Sequence, residues 1–367
     1  MKATNLPEPP KSDQKDDYHG TIVADPYLPL EDLDAPTTRN WTDAQTQRFN
    51  DYISGYEGRD EMMAALEEAF DYPKSSAPSQ YGDKLFRSHN PGLAPQSVVQ
   101  VMNSFDETPE TIIDPNQWSQ DGTSALSGMT ISSDGEYIAY RRSERGSDAQ
   151  TMRILNVETG EELPETFENL RFCTVAWLDN PDDGFYYKVP EDAPDCPVEE
   201  QTKNFSVKYH ALGNDPARDK LVFDVNDIAT EKMTKPNLYI PRYSENEWIS
   251  VVVGTRSENA LYYRQKGSDG DFLKLFDNNE AAYHVIGELD GKVYMETNKG
   301  APKGRIVRFS LDDPSPENWE EIVPEPQKHD ELLQGAMIHQ NKLYVIRSID
   351  LADQIDICTL DGEKQDQ

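Results

Sequence analysis

The sequence predicts a mainly β protein, a β-propeller of about six blades that follows a short α-helical segment. Short strand-like runs, separated by Asp-Gly, Asn and Pro turns, occupy nearly all of the chain from about residue 84 onward. These runs form sets whose starts are about 43, 43, 66, 45 and 52 residues apart. One four-stranded propeller blade needs about 40–45 residues, so the sets have about the length of one blade, and the 66-residue interval also contains an acidic, proline-bearing insertion around Val189–Thr202.

Residues 1–72 are assigned to a polar N-terminal arm and two helices. Apolar residues recur with helical spacing over 36–53 and 59–70, which predicts two amphipathic helices. Asp34 is the expected N-cap of the first helix, and Pro36 is expected in its first turn.

Residues 73–367 are assigned to the propeller. Its predicted strand sets are 85–115, 128–164, 171–224, 237–276, 282–323 and 334–360. Most sets contain a tight turn next to an aromatic-rich strand, as in Glu136–Tyr140 and Gly184–Tyr187. Sheets with two apolar faces cannot bury both faces alone, so we expect them to stack around an axis. Two successive β-sandwiches are the alternative, but they would not produce this regular spacing.

The composition is strongly acidic. Lysine and arginine number 35 and aspartate and glutamate 68, so the formal net charge is −33. This field would repel nucleic-acid phosphates and anionic lipid, and we expect neither nucleic acid nor a membrane as a partner. Near 1 M salt the Debye length falls to roughly 3 Å and self-repulsion is screened, which favours a halophilic protein. An ordinary acidic cytosolic protein is the alternative.

Metal, disulfide and targeting motifs are missing from the sequence. Cys173, Cys196 and Cys358 form no C-x-x-C pair, and no Gly-rich phosphate loop, H-E-x-x-H or EF-hand spacing occurs. We therefore expect no metal and no cofactor. No apolar run approaches the length of a membrane span, and the start of the chain has no signal-like core, so the predicted location is cytoplasmic.

An ordered series of motifs resembles the prolyl oligopeptidase family of serine peptidases. In chain order these motifs are Tyr18–Gly20, Val23–Tyr27, Leu30–Asp32, Asp71–Pro73, Asp114–Asn116, Asp121–Thr123, Ser133–Tyr137, Gly146–Asp148, Ala176–Trp177 and Gly184–Tyr187. The later blades match more weakly, and the resemblance covers residues 18–362. Its specificity lies in the order of the series rather than in any one motif.

The resemblance implies an endopeptidase that cleaves short peptides after proline. In that family an N-terminal helical segment and a C-terminal segment form an α/β-hydrolase domain, and a seven-bladed propeller caps this domain and gates access to it. The helices of residues 1–72 would accordingly pack on a hydrolase domain. Short proline-containing peptides are the partners that the resemblance implies.

The sequence departs from the family at the catalytic centre. No G-x-S-x-G elbow occurs, so we assign no catalytic residue and expect the chain to be inactive alone. The histidines are interpreted as structural or surface residues; they are His19, His89, His210, His284, His329 and His339. The strand pattern stops within the sixth set, so we expect a truncated blade and an absent C-terminal α/β-hydrolase domain. A separate hydrolase fragment is then a candidate partner.

Two propeller residues are candidates for substrate binding. Phe172 and Met233 align with positions that, in the resembling family, line the pocket for a residue upstream of the cleaved proline. An aromatic ring and a flexible thioether suit a variable peptide side chain. Ser257 stands near a third such position, where the family has cysteine. The alternative is that Phe172 and Met233 are core residues between blades.

Two functions of different class follow from these features. The first is the non-catalytic helical and propeller portion of a prolyl-oligopeptidase-like peptidase. The second is a stand-alone propeller that binds or scaffolds peptides or proteins without cleaving them. The family motifs within the helical segment favour the first, since those helices pack on the hydrolase domain in the family.

The net charge of −33 predicts that salt stabilises the folded chain. The melting temperature should rise between about 0.1 M and a few molar KCl, because screening reduces repulsion between carboxylates. Circular dichroism across a KCl series measures this, with a sucrose series of matched osmolarity as the control. A flat or falling melting temperature would contradict the halophilic interpretation.

Overall fold

The computed structural model describes residues 8–190, 204–225, 234–241, 243–277 and 280–365. It contains two compact units, one of residues 1–74 and 91–93 and the other of residues 75–90 and 94–367. Within the described ranges, no helix has the length and apolarity that crossing a bilayer requires.

The first unit contains a hairpin and two helices. They are β1 (Lys15–Tyr18), β2 (Thr21–Ala24), α1 (Pro36–Ser54) and α2 (Arg59–Phe70). Both helices lie within one residue of the ranges predicted from the sequence. Pro36 occupies the first turn of α1, where its missing N–H costs no helical hydrogen bond.

The predicted N-cap of α1 is wrong. Ala35, not Asp34, is the N-cap, and no side chain caps the helix. Ala35 has an extended backbone (φ −60°, ψ 132°), because the proline ring at position 36 disfavours helical geometry in the preceding residue. Asp34 instead pairs with the Arg39 guanidinium on the surface.

The described residues then form six sheets, whose strands pair in chain order except in sheet 1. Sheet 1 contains β3 (Lys74–Ser75), β4 (Ser79–Tyr81), β5 (Lys84–Asn90), β6 (Val98–Met102) and β7 (Glu110–Ile113), and β5 pairs with both β3 and β4. Sheet 2 contains β8 (Ser124–Ile131), β9 (Tyr137–Glu144), β10 (Gln150–Asn156) and β11 (Glu162–Leu170). Sheet 3 contains β12 (Val175–Trp177), β13 (Phe185–Pro190), β14 (Phe205–His210) and β15 (Lys220–Phe223).

The other three sheets repeat this pattern. Sheet 4 contains β16 (Thr234–Tyr239), β17 (Asn246–Val253), β18 (Asn259–Gln265) and β19 (Leu273–Phe276). Sheet 5 contains β20 (Tyr283–Leu289), β21 (Lys292–Thr297), β22 (Arg305–Phe309) and β23 (Glu320–Val323). Sheet 6 contains β24 (Glu331–His339), β25 (Lys342–Ile349) and β26 (Ala352–Cys358). The six sheets correspond to the six predicted sets. The seven-bladed architecture that the family resemblance implies remains a prediction.

Strand residues alternate between two neighbouring sheets, so both faces of the inner sheets are buried. On β13, Phe185 and Tyr187 pack in the core shared with sheet 2, whereas Tyr186 packs in the core shared with sheet 4. On β17, Ile249 faces sheet 3 and Trp248 faces sheet 5. In the described residues this period-2 alternation produces five apolar cores, each between consecutive sheets. Sequential stacking of this kind distinguishes a propeller from paired sandwiches.

The described residues cover only one of the two faces of sheet 6. Ile338 and Leu343 are buried against sheet 5, while Met337 and Ile355 are 53% and 57% exposed. Its second face is therefore apolar and accessible.

Buried polar contacts add specific links between the sheets. The Trp177 indole N–H donates to the Thr130 carbonyl at 3.1 Å, which joins sheets 3 and 2. The Trp248 indole N–H donates to the Glu288 carboxylate at 2.9 Å, which joins sheets 4 and 5. Such bonds fix the relative position of two sheets more precisely than apolar contacts alone.

An ion pair with low exposure lies within sheet 4 and is linked to sheet 3 by a tyrosine. The Arg264 guanidinium lies 2.6 Å from the Glu247 carboxylate, with side chains 10% and 1% exposed. The Tyr186 hydroxyl donates to the other carboxylate oxygen of Glu247 at 2.8 Å. The Arg264 guanidinium also lies 4.3 Å from the Phe272 ring centroid. Removing one partner would leave the other charge buried without compensation.

Arg264→Met should lower the free energy of unfolding by about 3–5 kcal/mol, because the Glu247 carboxylate remains buried without its cation. Urea unfolding followed by tryptophan fluorescence measures the change. The double variant Glu247→Gln/Arg264→Met should recover most of the loss, since it removes both charges. Lys220→Met, which breaks the exposed pair with Asp269, is the matched control and should change stability by no more than about 1 kcal/mol. Equal losses in Arg264→Met and the double variant would contradict the ion-pair explanation.

Candidate functional site

Phe172 lies between β11 and the first strand of sheet 3, and its two flanks are anchored in the core. Leu170 and Cys173 are 3% and 4% exposed, whereas Phe172 is 45% exposed. The backbone of Phe172 is left-handed, with φ 47°. A bulky residue in this conformation is strained and is retained where the surrounding structure determines it. The chain therefore holds the Phe172 ring partly in solvent, which is unlike a residue of the core between blades.

Two lysine ammonium groups lie against neighbouring aromatic rings at this place. The Phe172 ring meets the edge of Phe205, with ring centroids 6.3 Å apart. Lys235 Nζ lies 5.8 Å from the Phe172 centroid, and Lys188 Nζ lies 5.6 Å from the Phe205 centroid. Both distances are within the range of cation–π attraction. Since β12 and β16 are in contact, Lys235 on β16 lies beside the start of sheet 3.

Lys188 is buried, although lysine is among the residues least often found inside proteins. It is 5% exposed, and its ammonium donates to Asn237 Oδ1 at 2.8 Å. Burial, the largest cause, acts together with the positive charges of Lys235 and Arg141 to lower the pKa of Lys188 to about 8. Burial also raises the pKa of the Cys173 thiol to about 11, so this cysteine is a neutral core residue at pH 7.

The other two sequence candidates lie elsewhere. Met233 is outside the described residues, so its predicted role stays a prediction. Ser257 lines a cavity of about 360 Å³ formed by sheets 4, 5 and 6, and Phe172 is not among the residues that line it. Burial raises the pKa of Glu296 and lowers that of His284, which line the same cavity and therefore both favour their neutral forms.

Sequence reasoning did not single out Lys188 or Lys235. A usable signal was present for Lys188, because it interrupts an aromatic and apolar strand, Phe185–Pro190, at a position that alternation assigns to the interior. Lys235 gives no such signal, since its strand begins with mixed polar residues.

Two histidines have side-chain partners that bear on a role as a catalytic base. His210 is fully buried, and its Nδ1 lies 2.9 Å from the Asp219 carboxylate. The Ser75 hydroxyl lies 2.9 Å from His89 Nδ1 on the exposed edge of sheet 1. No carboxylate of the described residues hydrogen-bonds to His89, so this pair lacks the group that orients a catalytic histidine. In the same ranges, no three His, Cys, Asp or Glu side chains converge as metal ligands.

Comparison with known families and proteins gives a consistent result. The family profile described as "Prolyl oligopeptidase, N-terminal beta-propeller domain" matches residues 7–366. The chain is 30% identical to the prolyl endopeptidase of Elizabethkingia meningoseptica over 334 residues, which cover 90% of this chain and 46% of that protein. It is 26% identical to prolyl oligopeptidase A of Amanita bisporigera over 361 residues, which cover 88% of this chain and 46% of that protein.

Solved structures show the same fold. A structure from a mechanistic study of two prolyl endopeptidases superposes with a TM-score of 0.85 at 26% identity, covering 99% of this chain and 52% of that chain. Prolyl oligopeptidase B from Galerina marginata superposes with a TM-score of 0.81 at 21% identity, covering 99% and 54% respectively. The chain thus spans about half the length of the relatives that it matches. It belongs to the prolyl oligopeptidase family, and it matches the N-terminal β-propeller domain of that family.

Proposed function

We propose that this chain is the non-catalytic N-terminal and propeller portion of a prolyl-oligopeptidase-like serine endopeptidase that cleaves short peptides after proline. The observation that carries the proposal is the apolar surface of α1 and α2. In this proposal that surface packs on an α/β-hydrolase segment, and the propeller gates the access of peptides to it.

The helices bury little of their apolar surface within the described structure. Helix α1 buries only Thr38, and α2 buries no residue. Two aromatic residues, Phe49 and Tyr52, lie on the same side of α1 and are 62% and 60% exposed. Tyr56, just after the end of α1, is 61% exposed. On α2, Leu66 and Phe70 are 46% and 55% exposed. Apolar patches of this kind on a soluble protein mark interaction sites.

The propeller supports the proposed gating role through its rigidity. Apolar cores join every consecutive pair of sheets, and buried polar contacts lock three of these junctions. Sheets packed in this way would exclude folded proteins. The exposed Phe172 ring would offer an apolar contact to a short peptide. The cytoplasmic, high-salt setting remains part of the proposal and is supported by the net charge of −33.

The purified 367-residue chain should not hydrolyse a fluorogenic Gly-Pro substrate above the rate in buffer. The physical reason is that its sequence has no nucleophile elbow to expose a serine beside an oxyanion hole. The release of fluorophore is measured with and without a serine-directed phosphonate. Turnover that the phosphonate blocks would contradict a non-catalytic role for these residues.

The chain alone should self-associate through α1 and α2, because water otherwise covers their apolar surface. The variant Phe49→Lys/Leu66→Lys should reduce this association, measured by light scattering at several protein concentrations. The control is Gln47→Lys/Ala64→Lys, which adds the same charge to the polar sides of the same helices and should associate like the unmodified chain.

Hydrogen exchange provides the complementary measurement. A strict monomer whose residues 36–70 exchange as slowly as the sheet strands would contradict the docking role of the helices. That result would favour the stand-alone binding or scaffolding propeller instead.

A further inference from the structure

Three cationic side chains from consecutive sheets lie near one another: Lys235 contacts the Phe172 ring, Lys188 contacts the neighbouring Phe205 ring, and Arg141 is close enough to act electrostatically on Lys188 and Cys173. Arg141 is on β9 of sheet 2, Lys188 on β13 of sheet 3 and Lys235 on β16 of sheet 4. Both Arg141 and Lys235 are close enough to lower the pKa of Lys188. Because the whole chain carries a net charge of −33, this positive cluster is a local exception that no overall charge excess explains.

The three cations have hydrogen-bonding capacity that the described residues do not use. An ammonium group has three donors, yet within the described part of the chain the Lys188 ammonium makes one hydrogen bond, to Asn237. Lys235 Nζ reaches the Gly254 carbonyl at 3.4 Å. Arg141 Nη1 is buried and has no hydrogen-bond partner among the described residues. Buried charged donors are normally paired, so a cluster of incompletely satisfied cations indicates a missing anion.

The position of Arg141 is built into the sheet. A Cβ atom at Gly128, its neighbour on β8, would lie 2.2 Å from Arg141 Nη2. A larger residue at position 128 would therefore displace the guanidinium from this position. Lys188 is thus held in the interior, and Arg141 and Lys235 are partly buried.

We propose that Arg141, Lys188 and Lys235 bind the carboxylate of an acidic side chain in a peptide that also contacts Phe172. This inference deepens the proposed function and rests on it, because it names the peptides that the propeller would select. A guanidinium and two ammonium groups suit a carboxylate, and the adjacent aromatic ring suits the apolar part of the same peptide. The C-terminal carboxylate of a peptide has the same chemistry, and the test below distinguishes it.

The first experiment compares three peptides by calorimetry at pH 7. They are acetyl-Gly-Glu-Gly-Pro-Gly-amide, the same peptide with Gln for Glu, and the Gln peptide with a free C-terminal carboxylate. The Glu peptide should bind about tenfold or more tightly than the amidated Gln peptide, as expected for hydrogen bonds to charged groups. The free C-terminal carboxylate should not increase the affinity of the Gln peptide. Equal affinity of the Glu and Gln peptides, or preference for the free C-terminus, would overturn the proposal.

Variants test which residues cause the preference. Lys188→Met keeps the volume of a buried side chain and removes its charge. Lys235→Gln removes a charge at the less buried position. Each variant should abolish most of the preference for the Glu peptide over the Gln peptide. The matched control is Lys220→Gln, which removes one exposed positive charge paired with Asp269 and should keep the preference. A preference that survives both cluster variants would overturn the proposal. Phe172→Ala should lower the affinity for the Glu peptide and for the Gln peptide by the same factor.

A separate measurement tests the cluster without any peptide binding. Lysines are methylated with ¹³C, the Lys188 signal is assigned with Lys188→Met, and its pKa is determined by NMR titration. N-acetylglutamate should raise that pKa from about 8, because a bound carboxylate stabilises the ammonium, whereas N-acetylglutamine should not. If N-acetylglutamate leaves the pKa of Lys188 unchanged, the proposal is overturned. A pKa of 10 or above without ligand would also overturn it, since a carboxylate of the chain would then occupy the site. If no peptide binds but N-acetylglutamate shifts the pKa, the peptide-binding function fails and the carboxylate site remains.

Discussion

The structure depends on one constraint, which is that each inner sheet of the propeller is apolar on both faces. A sheet with one apolar face needs one neighbour, but a strand such as β13, with Phe185, Tyr186 and Tyr187 all buried, needs a neighbour on each side. Stacking in chain order satisfies this requirement for the inner sheets. Sheet 6 shows what happens where the described chain supplies no second neighbour, since Met337 and Ile355 stay exposed there.

Apolar burial selects the stacking, whereas buried polar groups specify its geometry. Trp177, Tyr186 and Trp248 each direct a polar atom across a sheet junction to a partner in the adjacent sheet. Burying the Glu247 and Arg264 charges costs desolvation free energy, so the pair is better understood as a device for specificity than as a source of net stability. The propeller therefore combines a nondirectional driving force with a few directional contacts that set the position of one sheet against the next.

The two candidate interaction surfaces use different physical properties. The helical surface is apolar and exposed, and it suits a partner that also buries apolar area. The cluster around Phe172 is cationic and partly buried within an acidic chain. It would therefore attract an anionic group at short range, although the overall negative field of the chain repels anions at long range. At high salt the long-range repulsion is screened, while partly buried pairs are screened much less. The net charge and the local cluster are therefore compatible in a saline environment.

The sequence by itself determined the class of fold and the family, because both depend on short-range patterns. Alternating apolar residues and turns at blade-length intervals located the six sheets, and helical spacing located α1 and α2 within one residue. Short polar strands such as β3 and β4 were missed, since two or three residues without apolar alternation carry no periodic signal. Asp34 was misassigned because capping depends on backbone angles that Pro36 restricts.

Only the tertiary structure decided which residues make a site. Lys188 and Asn237 are 49 positions apart, and Arg141 lies on yet another sheet, so no local pattern connects them. Phe172 was singled out from the resemblance, but its left-handed backbone and exposed ring follow from the anchoring of Leu170 and Cys173 in the core. Periodicity records which face of a strand is apolar. The convergence of charges depends on how far each sheet is rotated against the next, and that rotation is set by packing between residues distant in sequence.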